Sequence, residues 1–168
     1  MEESSLRCHP AAERASHPRR DVPVTMTAAR PTATGAPGYT ETMPCEPESA
    51  RRARLLVSVA LNTWGIDELA ENGVQIVAEL VNNAVRHTRC RVVRVRVTRP
   101  AEGVVRIGVA DRCRDTPELG HPDDDSESGR GLSLVEALSR RWGYDRKHWG
   151  KVVWAELEAP ATEAPGAC

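Results

Sequence analysis

Glu79, Asn83 and His87 are spaced four residues apart, which places their side chains on one face of a helix. A carboxylate one turn from a carboxamide can set a general base beside an oxygen ligand for Mg²⁺, an ion that prefers oxygen ligands and substrate phosphates. Glu79 could then orient or deprotonate a hydroxyl that attacks a phosphoryl group. The same spacing is common on the solvated flanks of structural helices, so it does not decide the function alone.

The segment around these residues is predicted to be an amphipathic helix over about residues 68–88. Apolar residues recur at intervals of three and four from Leu69 to Ala84, as on one buried helical face. Asp67 lies where its carboxylate could cap the first turn. A similar periodicity predicts an earlier helix from Ala50 that ends before Gly65.

Several short segments alternate in polarity and are predicted to be β-strands. They are residues 38–44, 91–99, 104–111, 144–148 and 151–157. Asp111 has the parity of the apolar residues in its strand, so its carboxylate is predicted to face the core. A buried carboxylate needs a hydrogen-bond donor, and the candidates are a ligand and a neighbouring backbone N–H.

The segment after Asp111 has features of an anion site. Residues 112–128 have no periodicity, which in a compact domain is typical of a functional lid. Gly129-Arg130-Gly131 follows and is predicted to precede a helix, where glycines let backbone N–H groups approach an anion. The inward residues of this helix are predicted to be Leu132, Val135, Leu138 and Trp142, with Gly143 at its end.

Composition excludes several classes of protein. The 168 residues carry 23 basic and 24 acidic side chains, a balance that disfavours nucleic-acid and membrane-surface binding. The five cysteines form no C-x-x-C pair, which indicates free thiols rather than disulfides or a zinc site. No apolar run suits a signal peptide or a membrane span, so a cytoplasmic protein is expected. Residues 1–37 are expected to be disordered, 38–158 to form one domain, and 159–168 to be a flexible tail.

Taken in order, these segments resemble the GHKL ATPase superfamily of gyrase, heat-shock chaperone, histidine kinase and mismatch-repair ATPases. ELVNNAVRHT resembles its N box, VADRC its first glycine box and SGRGLSLV its second. Within the superfamily, the chain is most similar to stand-alone ATP-binding proteins related to anti-sigma-factor serine kinases. The resemblance implies an α+β fold, the two-layer Bergerat sandwich, with helices on one face of a mixed, mostly antiparallel sheet.

The resemblance also implies roles for individual residues. Glu79 corresponds to the catalytic base and Asn83 to the Mg²⁺ ligand of the family. Asp111 corresponds to the carboxylate that accepts the adenine amino group. The phosphate side of the ATP site corresponds to Gly129, Arg130, Gly131 and Leu132.

The function that the resemblance implies is that of a Mg·ATP-dependent protein serine/threonine kinase of the anti-sigma type. Its partners would be an anti-anti-sigma-like protein and a sigma factor, with a homodimer as a further candidate and no direct contact to nucleic acid. The alternative is a non-catalytic docking module of the same fold. Two departures favour that alternative: Asp111 is not followed by the usual glycines, and Val152 stands where the family often has a threonine near the adenine-binding aspartate. A sensor histidine kinase is disfavoured, because no dimerisation helix with a phosphoacceptor histidine is predicted.

Overall fold

A computed structural model of the protein describes residues 35–113 and 127–160, with residues 127–130 described by their backbone alone. The predicted tails and lid lie mostly outside these ranges. The helices are α1 (Ser49–Trp64), α2 (Ala70–His87) and α3 (Glu127–Leu138), and a 3₁₀ turn (Asp67–Leu69) precedes α2. The strands are β1 (Gly38–Pro44), β2 (Val92–Ala101), β3 (Val104–Asp111), β4 (Arg141–Lys147) and β5 (Gly150–Glu158). None of the helices in the described ranges is long and apolar enough to cross a membrane.

The strands form one sheet in the order β1-β2-β3-β5-β4, and each neighbouring pair is antiparallel. The helices pack on one face of this sheet, with α1 against β1 and β2 and α2 against β3 and β5. This arrangement confirms the predicted α+β class and its two layers. All four pairings are antiparallel, so the sheet described has no mixed portion.

Alternation along the central strands determines which side chains form the core. Val93, Val95 and Val97 of β2 are fully buried, whereas Arg94 and Arg96 between them are exposed. The predicted arginine-bearing solvent face is therefore confirmed. The neighbouring strand β3 buries its own alternate apolar residues. The core is built mainly from small and branched aliphatic side chains of strands and helices.

The predicted helix ends are partly correct. Gly65 ends α1 in the left-handed conformation, with φ 66°, and its N–H bonds the carbonyls of Asn62 and Leu61, as a glycine after a helix does. Asp67 does not cap α2: it begins the 3₁₀ turn, and Leu69 occupies the N-cap position without a side-chain hydrogen bond. Leu69, the last residue of this turn, is buried in the core.

The predicted end of the third helix is wrong. Helix α3 ends at Leu138, and Trp142 and Gly143 belong to β4. The N–H of Arg140 already bonds the carbonyl of Glu156 at 2.8 Å, so strand pairing begins directly after the last turn. Trp142 would point inward in a longer α3, because it lies four residues after Leu138. It also points inward in β4, because it pairs with the buried Ala155. The periodicity could not separate these two cases.

Strand β2 is longer than predicted. It continues through Pro100 to Ala101, where the sequence predicts a turn, and the register with β3 shifts between Thr98 and Ala101. Pro100 lacks a backbone N–H, so it fits in a strand only where no ladder bond is needed, and an irregular register provides such a place. The turn itself is reduced to two residues, and Gly103 adopts φ 68° there.

A buried carboxylate lies on the sheet face away from the helices. Glu156 is 3% exposed, and the Nε of Arg106 donates to its Oε1 at 2.7 Å while Arg141 donates to its Oε2. Both guanidinium groups also lie over the Trp154 ring, 4.3 and 5.8 Å from its centroid. Burial tends to raise the pKa of Glu156, but the hydrogen bonds from Arg141 and Arg106 outweigh it, so this pKa is lowered.

We expect Glu156→Gln to destabilise the domain at neutral pH by about 1.5–3 kcal/mol, the typical worth of hydrogen bonds to a charged group. A lowered folded-state pKa stabilises the fold at pH values above the ordinary carboxyl pKa, and this stabilisation is lost as the pH falls through the folded value. The difference between wild type and variant in urea unfolding should therefore shrink below about pH 4. Glu158→Gln, at a half-exposed pair with Arg140, is the control and should change little. If the difference in unfolding free energy between wild type and Glu156→Gln stays the same in acid, the Glu156 carboxylate is not the source of the stabilisation.

Candidate functional site

Glu79 and Gly131 meet where α2 and α3 pack together. Glu79 is half-buried on α2, and a Cβ placed on Gly131 would lie 2.7 Å from its Oε2 atom. Any side chain at position 131 would therefore displace the carboxylate. The fold therefore brings Glu79, the predicted catalytic base, to Gly131 of the predicted glycine segment, more than fifty residues away in sequence.

The glycine segment lies within α3 rather than before it, which corrects the prediction. Helix α3 begins at Glu127, so Gly129 and Arg130 contribute backbone to its first turn. A glycine weakens a helix by about 1 kcal/mol relative to alanine but does not prevent it, and here α3 packs against α2. The first four N–H groups of an α-helix have no acceptor within the helix, so they are available to an anion. Leu132, which follows Gly131, is buried in the core and anchors this end of α3.

Asn83 lies one turn beyond Glu79 and is half-buried, whereas His87 ends α2 and is exposed. The described ranges contain no group of three His, Cys, Asp or Glu residues that could hold a metal ion. A carboxamide and a nearby carboxylate are nonetheless the oxygen donors that Mg²⁺ accepts, since this ion completes its shell with water and phosphate oxygens. The donors present thus fit Mg²⁺ and do not suit a metal held by protein alone.

Asp111 ends β3 and is 3% exposed, with its side chain towards the helices as its parity predicts. Its Oδ1 atom accepts the backbone N–H of Cys113 at 2.7 Å and a bond from the Nζ of Lys151 at 3.2 Å. The backbone donor is thus one of the two predicted candidates. Lys151 is a functional candidate that the sequence reasoning missed, although it shares the inward parity of Val153, Ala155 and Leu157 in β5.

Val152 does not stand beside Asp111. The residue paired with Asp111 across the strands is Lys151, so Val152 points to the other face of the sheet. There its Cγ1 atom would lie 3.4 Å from a Cβ on Gly108. A hydroxyl at position 152 would therefore lie on the opposite face of the sheet from the Asp111 carboxylate.

Thiols surround the same end of the sheet. Cys45, Cys90 and Cys113 carry thiols rather than disulfides, as predicted, whereas Cys8 and Cys168 lie outside the described residues. Burial raises the pKa of the Cys45 thiol, a hydrogen bond with Thr88 opposes this, and the nearby Cys90 and Asp111 charges raise it further. The Cys45 thiol is thus held in the protonated form and acts as a small packing group.

A pocket of about 280 Å³ opens at the end of the sheet where Asp111 ends β3. Its lining includes Thr42, Arg94 and Ala110, which form one cross-strand row on the side of the exposed arginines. Asp111 and the core residue Val93 also line it, whereas Glu79, Asn83 and Gly131 do not. The pocket therefore reaches the Asp111 end of the candidate site but not the contact between α2 and α3.

Comparison with known proteins gives two findings. The sequence model of the histidine kinase-like ATPase domain matches residues 43–157, more than half of the chain. The chain is also similar to the uncharacterized protein SCO4941 of Streptomyces coelicolor, with 38% identity over 73 residues. That alignment covers 42% of this chain and 67% of the relative. The name of the relative states no activity.

Proposed function

Because this chain belongs to the histidine kinase-like ATPase domain family, which implies ATP binding, we propose that it is a Mg·ATP-dependent protein serine/threonine kinase. The observation that carries the proposal is the contact of Glu79 with Gly131. It sets a carboxylate against α3 directly after its first turn, whose unpaired N–H groups favour phosphate. A base next to a phosphate-binding turn is the arrangement that phosphoryl transfer to a hydroxyl requires.

In this proposal each residue has a separate task. The N–H groups at the start of α3 hold the phosphates, and Asp111 accepts a hydrogen bond from the adenine ring of ATP. Asn83 would hold Mg²⁺, which neutralises phosphate charge. Glu79 accepts the proton of the substrate hydroxyl. The oxygen of that hydroxyl bonds the γ-phosphorus, and the bond from this phosphorus to the ADP oxygen breaks. The products are ADP and a phosphorylated side chain.

The partner class follows from the resemblance of the N box and second glycine box to those of anti-sigma-factor kinases. We assign an anti-anti-sigma-like protein as the substrate, phosphorylated on serine or threonine in the cytoplasm. Binding of a sigma factor, and pairing of two copies of this chain, belong to the same proposal. The open sheet face bears arginines without interleaved aromatic residues along β2, which does not favour nucleic acid.

The second candidate is a docking module without catalysis. One observation favours it: Asp111 already accepts bonds from Lys151 and the Cys113 backbone, so a nucleotide base would have to share that carboxylate. In addition, Arg112 and Cys113 follow Asp111 where the family has glycines. Such a module would bind its partner with the same surface whether or not ATP is present.

We expect Mg·ATP to raise the melting temperature of the full chain, because a ligand that binds only the native state stabilises it. At a concentration about a thousandfold above Kd, the gain is about 4.1 kcal/mol. The measurement is a thermal melt with millimolar Mg·ATP, with EDTA added to matched samples. Transfer of labelled γ-phosphate to a purified anti-anti-sigma-like protein then separates the two candidates. If neither ATP nor GTP changes the melting temperature, the proposal of nucleotide binding is wrong. A change in melting temperature without phosphate transfer favours the docking module.

A further inference from the structure

The outer face of the sheet, which points away from the helices, carries an apolar strip. An antiparallel sheet with one face in water normally alternates apolar residues inward with polar residues outward. Here Ala110 of β3 pairs with Val152 of β5, both point outward, and both are half-buried. The three helices of the described ranges pack on the inner face, so no helix among them covers this strip. Apolar residues on such a face, rimmed by charged ones, are a feature of interaction surfaces.

Two arginines next to this strip are not neutralised. Arg94 and Arg96 of β2 are both exposed, and neither forms an ion pair with another described residue. In contrast, the carboxylate of Glu156 on the same face is shared by two other arginines. Arg94 and Arg96 are two positions apart on one strand, which separates them by roughly 6.6 Å on the same side. The chain as a whole has 23 basic and 24 acidic residues, so this unpaired positive charge is a local feature of the face.

The pocket at the end of the sheet opens next to the same strip. Arg94, Ala110 and Arg112 line it, and the side chain of Trp149, which is 43% exposed, forms a further wall. Asp111 also lines it, but its carboxylate is already bonded by an ammonium group and a backbone N–H. The volume of about 280 Å³ lies just below the range of about 300–1,000 Å³ for small-molecule sites, so it suits one side chain better than a whole nucleotide. Arginine and tryptophan are among the residue types that contribute most binding energy at protein interfaces.

We propose that the outer face of the sheet docks an acidic segment of a partner protein. One apolar side chain of that segment occupies the pocket beside Trp149, and its carboxylates bind Arg94 and Arg96. Alternate side chains of an extended segment repeat at roughly 6.6 Å, the same interval as these two arginines. The face therefore offers a partner of this chemistry both an apolar anchor point and matched charges.

Nucleic acid fits this face less well than an acidic peptide. Sequence-tolerant binding of single strands uses several aromatic side chains on which successive bases stack. The ring of Trp154 on this face is already covered by two guanidinium groups, which leaves Trp149 at the pocket. None of the residues assigned above to phosphoryl transfer or to Mg²⁺ lines the pocket, so the inference does not depend on the proposed kinase activity.

The first test uses the full wild-type chain and two synthetic peptides labelled for fluorescence anisotropy. One peptide has a leucine with glutamates at alternate positions on both sides, in a glycine and serine background, and its control has glutamines in place of the glutamates. We expect the glutamate peptide to bind about tenfold more tightly or better, and the difference to shrink as sodium chloride rises from about 0.05 to 0.5 M. Equal binding of the two peptides, or no binding of the glutamate peptide at millimolar concentration, overturns the inference.

The second test removes the two arginines. Arg94→Gln combined with Arg96→Gln should weaken the glutamate peptide by about three- to thirtyfold, the effect of two exposed ion pairs, and leave the glutamine peptide unchanged. Arg51→Gln combined with Arg54→Gln is the matched control, because it removes the same charge from exposed positions of α1 in the helical layer. Equal weakening by both double variants would show that net charge alone acts, which overturns the inference. Should the first double variant not fold, the peptide pair on the wild type still decides.

A third variant tests the pocket. Trp149→Ala should weaken the glutamate peptide by about tenfold or more, because a tryptophan at a pocket is a typical anchor of an interface. Tyr144→Ala is its control, since Tyr144 is similarly exposed, at 39%, but does not line the pocket. Unchanged affinity in Trp149→Ala overturns the inference.

Other occupants of this face give different results, and each of these results overturns the inference. Displacement of the peptide by Mg·ATP would assign the pocket to the nucleotide site. Tighter binding of a duplex DNA oligonucleotide than of the glutamate peptide would assign the arginines to nucleic acid. A gain of about tenfold or more in peptide affinity when Asp123, Asp124 and Asp125 are replaced by asparagine would assign the surface to the chain's own acidic segment. Self-association of the wild type that Trp149→Ala abolishes, measured by sedimentation, would assign it to a second copy.

Discussion

Replacing Glu79 with glutamine should lower phosphoryl transfer by about 10²–10⁴-fold, the usual contribution of a positioned general base. The amide keeps the size of the carboxylate, so its packing against Gly131 is retained, but it cannot accept the proton of the substrate hydroxyl. Affinity for Mg·ATP should therefore stay close to that of the wild type. Single-turnover transfer of labelled phosphate, together with calorimetric titration of Mg·ATP, measures both quantities.

Two comparisons make this result interpretable. Glu71→Gln changes an exposed carboxylate in the first turn of the same helix and should leave transfer intact. Asn83→Ala should instead weaken nucleotide binding only when Mg²⁺ is present, because the carboxamide is assigned to the metal. If Glu79→Gln transfers phosphate at the wild-type rate, Glu79 is not the base. If it unfolds the domain, the carboxylate is a structural group of the contact between α2 and α3.

Gly150→Ala should unfold the domain or destabilise it by about 3 kcal/mol or more, at the upper end of what overpacking costs. A Cβ at this position would lie 2.0 Å from the backbone oxygen of Asp111 and 2.7 Å from the Cα of Arg112. Both atoms belong to the main chain, so no side-chain rotation relieves the clash. The melting temperature should fall by roughly 10 °C or more, and differential scanning calorimetry measures it.

Gly108→Ala is the matched control for this substitution. Gly108 lies in β3 next to the same strand β5, but the nearest atom to a Cβ there is the Val152 Cγ1 at 3.4 Å, an ordinary contact. Its effect should be below about 1 kcal/mol. Equal destabilisation by both substitutions would show that loss of glycine in the sheet, and not the approach of β5 to the end of β3, is responsible. The close approach is what places Lys151 opposite Asp111.

The parts of the fold that were predictable are those where one local pattern has one physical meaning. Alternation in β2 and β3 predicts which valines are buried, and the same alternation predicts that Asp111 faces inward. The four-residue spacing of Glu79 and Asn83 predicts one polar stripe beside the apolar face of α2, and both residues are half-buried there. Gly65 likewise marks the end of α1, because a left-handed residue there favours glycine.

The parts that were missed depend on contacts between distant segments. Trp142 points inward in a helix or in a strand, and only the pairing of β4 with β5 selects the strand. Lys151 looks like the first polar residue of a strand until its register opposite Asp111 is known. The place of Val152 depends on the same register, and a shift by one residue would exchange the faces of both side chains. Alternation along β5 shows that Lys151 faces inward and Val152 outward, but it carries no register between strands, so the position of Lys151 opposite Asp111 could not be assigned from it.

The order β1-β2-β3-β5-β4 has a consequence for synthesis on the ribosome. Strands β1, β2 and β3 emerge first and can pair in sequence, but the free side of β3 is filled by β5, the last strand of the described residues. Until residues 150–158 have left the exit tunnel, β3 presents an unpaired row of backbone N–H and C=O groups, which is a template for aggregation. During that interval Asp111 also lacks Lys151. A nascent chain therefore completes the pair of Asp111 and Lys151 only after β5 has left the ribosome, and a polypeptide truncated before β5 would leave this edge of β3 exposed.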